Sequence, residues 1–292
     1  MSKIFDALRK TDLLESADLA EPVLTSRKVD SNALPTMEPA NAAVAVALEA
    51  PKTGTPETLR TAALKISALA PIFPLDDAQP IAAEQYRIIR TKIMQHPAKP
   101  RVIVVSSATS GDGKTVTAIN IAACLALKPD TSVLLIDADL RRPMISNLLG
   151  VPAAPGLADV LAGRCTSADA VIQTEQFPNL SVLVAGEKKE NPAELLDSPR
   201  WRALIEEFRR QYRFVIMDAT PVAAVADYAL VQAACDGVAL VVRQDHTERA
   251  LLNNALRVVP KDRLLGTVLN CVENWFLWKT HGYGYYSRAK KK

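Results

Sequence analysis

Of the 292 residues, 49% are hydrophobic and 23% charged, so the chain can bury a sizeable core and is not a low-complexity or wholly solvated polymer. Its 35 basic and 32 acidic residues leave a formal charge of +3, which offers no general nucleic-acid-coating surface, and no nucleic-acid partner is expected. The four cysteines, Cys124, Cys165, Cys235 and Cys271, are widely spaced without a CxxC pair, which argues against a disulfide or zinc framework and leads us to expect reduced, buried thiols.

Residues 1–18 begin MSKIFDALRKTDLLES, where Ile4, Phe5, Leu8, Leu13 and Leu14 alternate with charges at the spacing of a short amphipathic helix. Its apolar face needs cover, from its own domain, a partner protein or a membrane surface. The stretch has no apolar centre followed by a small-residue cleavage site. No segment approaches the roughly 18 apolar residues of a spanning helix. The expectation is a cytoplasmic chain that does not itself cross a membrane.

Residues 19–78 read as a Pro/Ala-rich linker. Eight of the 19 prolines fall between positions 20 and 80, and bulky apolar residues are too few to offset the entropy of ordering the segment. Only Leu59 to Leu69 has helical character.

From 79 to 273 the pattern becomes apolar runs of strand length alternating with helical segments. RVIVVSS (101–107), SVLLIDA (132–138), SVLVAG (181–186), RFVIMDA (213–219), GVALVVR (237–243) and LLGTVLN (264–270) are apolar on both faces, as buried parallel strands require. Helical spacing recurs at 115–127, 192–212 and 248–259. This predicts an α/β fold with a doubly wound, mostly parallel sheet covered by helices on both faces, and ligands at the strand ends.

The first strand runs into Ala108-Thr109-Ser110-Gly111-Asp112-Gly113-Lys114-Thr115, which fits the phosphate loop [AG]-x4-G-K-[ST]. Gly111 and Gly113 let the backbone wrap so that successive N–H groups converge on phosphate oxygens. Lys114 supplies a point charge for the β and γ phosphates, and Thr115 offers a hydroxyl to Mg²⁺. Residues Thr109, Ser110, Gly111, Asp112, Gly113, Lys114, Thr115 and Val116 are therefore the expected nucleotide contacts. Two further strands end in carboxylates, at Asp137 with Asp139 and at Asp218, on the rim where the phosphate loop stands. Capping of the following helix is the bland role for one such aspartate. Three beside a phosphate loop point to metal and catalytic work, with Thr115, Asp137 and Asp218 as metal candidates.

Residues 274–292 form a tail in which Tyr283, Tyr285 and Tyr286 sit among glycines and are followed by Arg288, Lys290, Lys291 and Lys292. A core is not built this way, so these rings are expected to be accessible, while Tyr86, Tyr212 and Tyr228 fall within amphipathic patterns and are expected to pack. An aromatic, basic tail resting on anionic lipid is the alternative.

These motifs together resemble those of the bacterial tyrosine autokinases, cytoplasmic P-loop kinases of polysaccharide synthesis and export. The matching residues are the phosphate loop, the apolar run ending D-x-D-x-R at Asp137 to Arg141, the strand ending at Asp218 and the terminal tyrosines. Glu84-Gln85-Tyr86-Arg87-Ile88-Ile89-Arg90 looks like the family's E-x-x-R-x-x-R oligomerisation helix, with Glu84, Arg87 and Arg90 on one face. The resemblance implies a P-loop NTPase fold binding ATP and Mg²⁺, catalysis by Lys114, Asp137 and Asp139, with Asp137 or Asp139 drawing the phenolic proton, and Tyr283, Tyr285 and Tyr286 as acceptors. It also implies a homo-oligomeric ring, a separate transmembrane chain-length regulator as activator, polysaccharide-synthesis enzymes as further substrates, and a peripheral position at the inner face of the cell membrane. The linker and Ser2 to Leu8 resemble the branch tied to exopolysaccharide and exosortase loci. Two features depart from the family pattern. The tyrosine cluster has three members, and Ala219-Thr220-Pro221 follows Asp218 where the family often has serine before proline. Two rivals are weighed against this reading. A partition or cell-division-site ATPase would carry a second lysine early in the loop, where this chain has Thr109. A non-catalytic ATP-binding scaffold would not need Lys114 and three carboxylates.

Overall fold

The structure, a computed structural model, describes residues 60–68, 70–72, 79–187, 191–222 and 226–272. The amphipathic start at 1–18 and the tyrosine-bearing tail at 274–292 lie outside the described residues. In chain order the elements are β1 (Arg60–Ala62), α1 (Pro80–Met94), β2 (Val102–Ser107), α2 (Lys114–Ala126), β3 (Val133–Asp137), α3 (Ile145–Leu149), α4 (Leu157–Leu161), α5 (Ser167–Ala170), β4 (Ile172–Thr174), β5 (Leu180–Leu183), α6 (Pro192–Asp197), α7 (Pro199–Gln211), β6 (Phe214–Asp218), α8 (Asp227–Ala233), β7 (Gly237–Arg243), α9 (Arg249–Val258) and β8 (Leu264–Asn270).

All six predicted strands form, and they lie in one sheet ordered β1-β4-β5-β3-β6-β2-β7-β8. Pairing is parallel from β5 through β8, β4 runs antiparallel to β5, and β1 pairs parallel with β4. Continuous apolar strands bury both faces, and alternation along each strand sorts the side chains into two layers. Val102, Val104, Leu134, Ile136, Val215, Met217, Val238 and Leu240 face a core closed by Trp201, Leu204, Ile205 and Phe208 of α7. Ile103, Val105, Val133, Leu135, Phe214, Ile216, Ala239 and Val241 face the opposite core, closed by Ile119, Ala122 and Ala123 of α2 with Tyr86 and Ile93 of α1. Full burial of Trp201 or Phe208 is worth roughly 1.5–3 kcal/mol each or more, by apolar area. Tyr86 and Tyr228 are buried as expected, and Tyr212 packs partly buried against the first core.

Three local expectations are corrected. Of the helix expected over Leu59 to Leu69, the described residues 60–68 form none: Arg60–Ala62 is a strand, Lys65 and Ser67 donate backbone bonds to the Leu149 and Leu148 carbonyls, and Leu64, Ala70 and Ile72 are buried. The three-residue strand β4, which would otherwise end the sheet, gains a partner from this segment, and β1 becomes the edge. The helical pattern over 192–212 is two helices. Pro199 holds Ser198 in extended backbone, with ψ 150°, and the Ser198 hydroxyl caps α7 by accepting from the Trp201 amide. Cys124 and Cys235 are buried, whereas Cys165 is partly exposed and Cys271 exposed, because Cys271 follows the edge strand β8 rather than an inner one.

No helix among the described residues is long and apolar enough to cross a membrane.

Candidate functional site

β2, β3 and β6 are neighbours with their C-terminal ends on one rim, and Asp137 is paired in register with Asp218. β2 leads into the phosphate loop, where Gly111 (φ 87°) and Gly113 (φ 89°) take the left-handed conformations that the wrap needs. A Cβ on Gly113 would also drive into the Asn270 amide, so its lack of a side chain is doubly required. Gly113 is the N-cap of α2 and provides no side-chain cap, and the first turn has no acidic residue. The helix thus keeps its first N–H groups, and its positive end, for an anion.

Lys114, the first residue of α2, is largely buried and reaches across the rim. Its Nζ lies 2.9 Å from Asp139 Oδ2 and 3.3 Å from Asp218 Oδ1. Burial disfavours its charge, but Asp218 and Asp139 outweigh that and raise its pKa. Thr115 donates its hydroxyl to Asp218 Oδ2 at 2.6 Å. Asp218 is fully enclosed, and that burial raises its pKa against the pull of Lys114 and Thr115. Lys114, Thr115, Asp139 and Asp218 are therefore brought together as one cluster.

Asp137 and Asp139 differ in a way that spacing alone left open. Asp137 Oδ2 accepts the Met144 and Ile145 amides at the start of α3, both at 3.0 Å, while its Oδ1 is buried with no hydrogen-bond partner among the described residues. Burial first, and the adjacent Asp218 charge second, push its pKa up to about 8. Asp139 is engaged on both oxygens, Oδ1 by the Arg142 amide at 3.0 Å and Oδ2 by Lys114. Arg141 is held away from this cluster by a two-point pair with the buried Asp227 at the start of α8, at 2.8 and 2.9 Å.

The donor set suits a nucleoside triphosphate with a divalent ion: a left-handed glycine wrap, an open helix N-terminus, a buried lysine balanced by carboxylates, a hydroxyl–carboxylate pair and one carboxylate oxygen without a partner among the described residues.

Four residues outside the motifs also touch the loop. His246 Nε2 lies 3.1 Å from the Ser110 carbonyl, Arg243 donates to the Gly111 carbonyl at 3.2 Å, and Asn270 Nδ2 donates to the Asp112 carbonyl at 2.9 Å. Asp112 is wholly buried, with Oδ2 accepting the Thr109 amide at 3.0 Å and Oδ1 accepting the Thr247 hydroxyl at 2.7 Å. Their only sequence signal is position, since Arg243 and Asn270 end apolar strands on the loop's rim. Val116 continues α2 beyond the loop.

The predicted oligomerisation residues lie on α1. Glu84 and Arg87 pair at 3.0 Å, each about half exposed, while Arg90 donates to the Cys124 carbonyl on α2 at 3.3 Å, so the three do not form one uniformly free stripe. Tyr283, Tyr285 and Tyr286 fall outside the described residues.

A family model described as an AAA domain matches residues 100–254. The chain is 34% identical over 219 residues to tyrosine-protein kinase YwqD of Bacillus subtilis, covering 74% of this chain and 90% of that one. Among solved structures, the kinase domain of the Escherichia coli tyrosine kinase ETK superposes with TM-score 0.62 at 31% identity, over 69% of this chain and 80% of that one. A ParA family ATPase from Chlorobium tepidum, at 22% identity and TM-score 0.51 over 60% and 75% of the two chains, shares the fold alone.

Proposed function

The chain belongs to the bacterial tyrosine-protein kinases with a P-loop AAA-type domain, and from that premise we propose that it transfers the γ-phosphate of ATP to its own tail tyrosines, Tyr283, Tyr285 and Tyr286. The observation that carries this reading is the cluster of Lys114, Thr115, Asp139 and Asp218, in which a buried ammonium is balanced by carboxylates at the mouth of a phosphate loop.

Each residue then has a task. The amides of the loop from Ser110 to Val116 would cradle the phosphates, the expected Thr109 amide being taken instead by the Asp112 carboxylate, and Lys114 would turn from its carboxylates toward the β and γ oxygens. Thr115 and Asp218 would hold Mg²⁺, with Asp137 beside them; the ion supplies neutralisation of phosphate charge. Mg²⁺ keeps several waters, so phosphate and water oxygens would supply the rest of its ligands. Asp139 pins Lys114. Asp137 is the proton acceptor for the tyrosine phenol: its Oδ1 has no partner among the described residues, whereas Asp139 is engaged on both oxygens.

The acceptor reaches this rim from a neighbouring subunit of a ring held through Glu84, Arg87 and Arg90. The reading extends to regulation of exopolysaccharide synthesis and export, with a transmembrane chain-length regulator as activator, pathway enzymes as further substrates and a peripheral station at the inner face of the cell membrane. Relatives named as tyrosine kinases, and the terminal tyrosines themselves, support it.

Phosphosite mapping after incubation with MgATP tests it, with Lys114→Met and a chain ending at Val272 as controls. Phosphate on the tail tyrosines, lost in both controls, is the expected outcome. ATP hydrolysis with no modified tyrosine would overturn the kinase reading in favour of a partition-type ATPase.

A further inference from the structure

The loop's three successive carbonyls, those of Ser110, Gly111 and Asp112, each meet a side chain from the far end of the sheet: His246 and Arg243 from β7 and the turn after it, and Asn270 from the end of β8. A carbonyl only accepts, so His246 carries its proton on Nε2 here. The peptide plane has a geometric consequence. In a trans peptide the C=O of one residue and the N–H of the next point in opposite directions. Pulling these three carbonyls outward therefore aims the amides of Gly111, Asp112 and Gly113 the other way, into the hollow of the loop. The Asp112 carboxylate acts as an inner strut, taking the Thr109 amide on one oxygen and the Thr247 hydroxyl on the other.

We propose that Arg243, His246, Thr247 and Asn270 are positioning residues for the nucleotide: they hold the phosphate loop from outside so that its amides stay converged on the polyphosphate. This rests on the nucleotide-binding part of the function proposed above and needs no tyrosine transfer. Asn270 also stands where β8 gives way to the C-terminal segment, since the Cys271 amide donates to Asn270 Oδ1 at 2.9 Å. The residue that braces the loop thus roots the chain that leads to the acceptor tyrosines.

The test compares Thr247→Val with Thr247→Ser, and Asn270→Asp with wild type. Valine keeps the shape of threonine without the hydroxyl, serine restores it, and aspartate keeps the shape of asparagine but puts an acceptor against the Asp112 carbonyl. MgADP binding is read by calorimetry, the KM and kcat for ATP are separated, and melting of the nucleotide-free chain reports the fold. Thr247→Val and Asn270→Asp should each weaken MgADP by about three- to tenfold, the scale of one lost hydrogen bond, and raise the KM for ATP more than they lower kcat. Thr247→Ser should bind within about twofold of wild type by the same scale. Unchanged MgADP affinity in Thr247→Val and Asn270→Asp would overturn the proposal, as would equal losses in the valine and serine variants. If Asn270→Asp melts early, the valine–serine pair decides alone. Because binding is read with ADP, its failure and that of the tyrosine-kinase reading are told apart.

Discussion

At the scale of the residue, the site is a problem in charge balance. Four ionisable groups, Lys114, Asp137, Asp139 and Asp218, share a buried rim, and among the described residues every carboxylate oxygen there but Asp137 Oδ1 has a partner. Thr115 is the neutral member, and its 2.6 Å bond to Asp218 makes it sensitive to substitution. Thr115→Val should lower kcat by at least about tenfold while Thr115→Ser retains most activity, read as the Mg²⁺ dependence of autophosphorylation. Equal activity in valine and serine variants would refute the metal-holding role proposed for Thr115.

Asp236 shows the same physics used for structure. Burial works against its charge, but the Val102 and Arg101 amides and the Arg209 guanidinium outweigh it and hold its pKa below 3.8. Its contribution is fully present above the ordinary carboxylate value and is lost as pH falls through the depressed one. Asp236→Asn should therefore cost stability at neutral pH, and its deficit relative to wild type should shrink in acid, measured by denaturant unfolding from pH 7 to pH 3. A deficit independent of pH would show that the carboxylate charge contributes nothing.

At the scale of the element, the segment from Arg60 to Ile72 matters more than its composition suggests. A proline-rich stretch reads as linker because its apolar residues are sparse, yet Leu64, Ala70 and Ile72 are set where the sheet edge and α2 offer ready-made apolar surface. Leu64 and Ile72 each gain roughly 1.5–3 kcal/mol on burial, and the Ala70 methyl less. A chain begun at Pro80 should melt about 5 °C or more below one begun at Arg60, a shift in keeping with a few kcal/mol in a domain of this size. Identical melting temperatures would return the segment to linker status.

At the scale of the whole molecule, assembly and charge are linked. A half-exposed pair such as Glu84 with Arg87 contributes only about 0.2–1 kcal/mol to the fold, so Arg87→Glu should leave the subunit intact while setting two acids side by side. The variant should elute as a folded, nucleotide-binding monomer by light scattering; an unchanged assembly mass would refute the role given to α1. Arg90→Glu is a poorer probe, because it also removes a bond to the α2 carbonyl of Cys124. Three tail phosphates, each carrying about −1.5 to −2, would turn the formal +3 of the chain negative.

The sequence by itself determined the inner strands of the sheet and which residues gather at its phosphate-loop rim. Apolar runs buried on both faces specify inner parallel strands by their own periodicity, and the phosphate loop with the strand-end aspartates is local enough to be read from spacing, as Lys114, Thr115 and Asp218 show. Tertiary structure alone decided three things: that Asp137 Oδ1 has no partner among the described residues while Asp139 is engaged on both oxygens, that Arg60–Ala62 joins the sheet, and that Arg243, His246, Thr247 and Asn270 touch a loop more than 130 positions away in the chain. The physical reason is reach: periodicity and motif record what neighbouring residues do to one another, whereas a hydrogen bond between β8 and the end of β2 exists only once β7 has been laid between them.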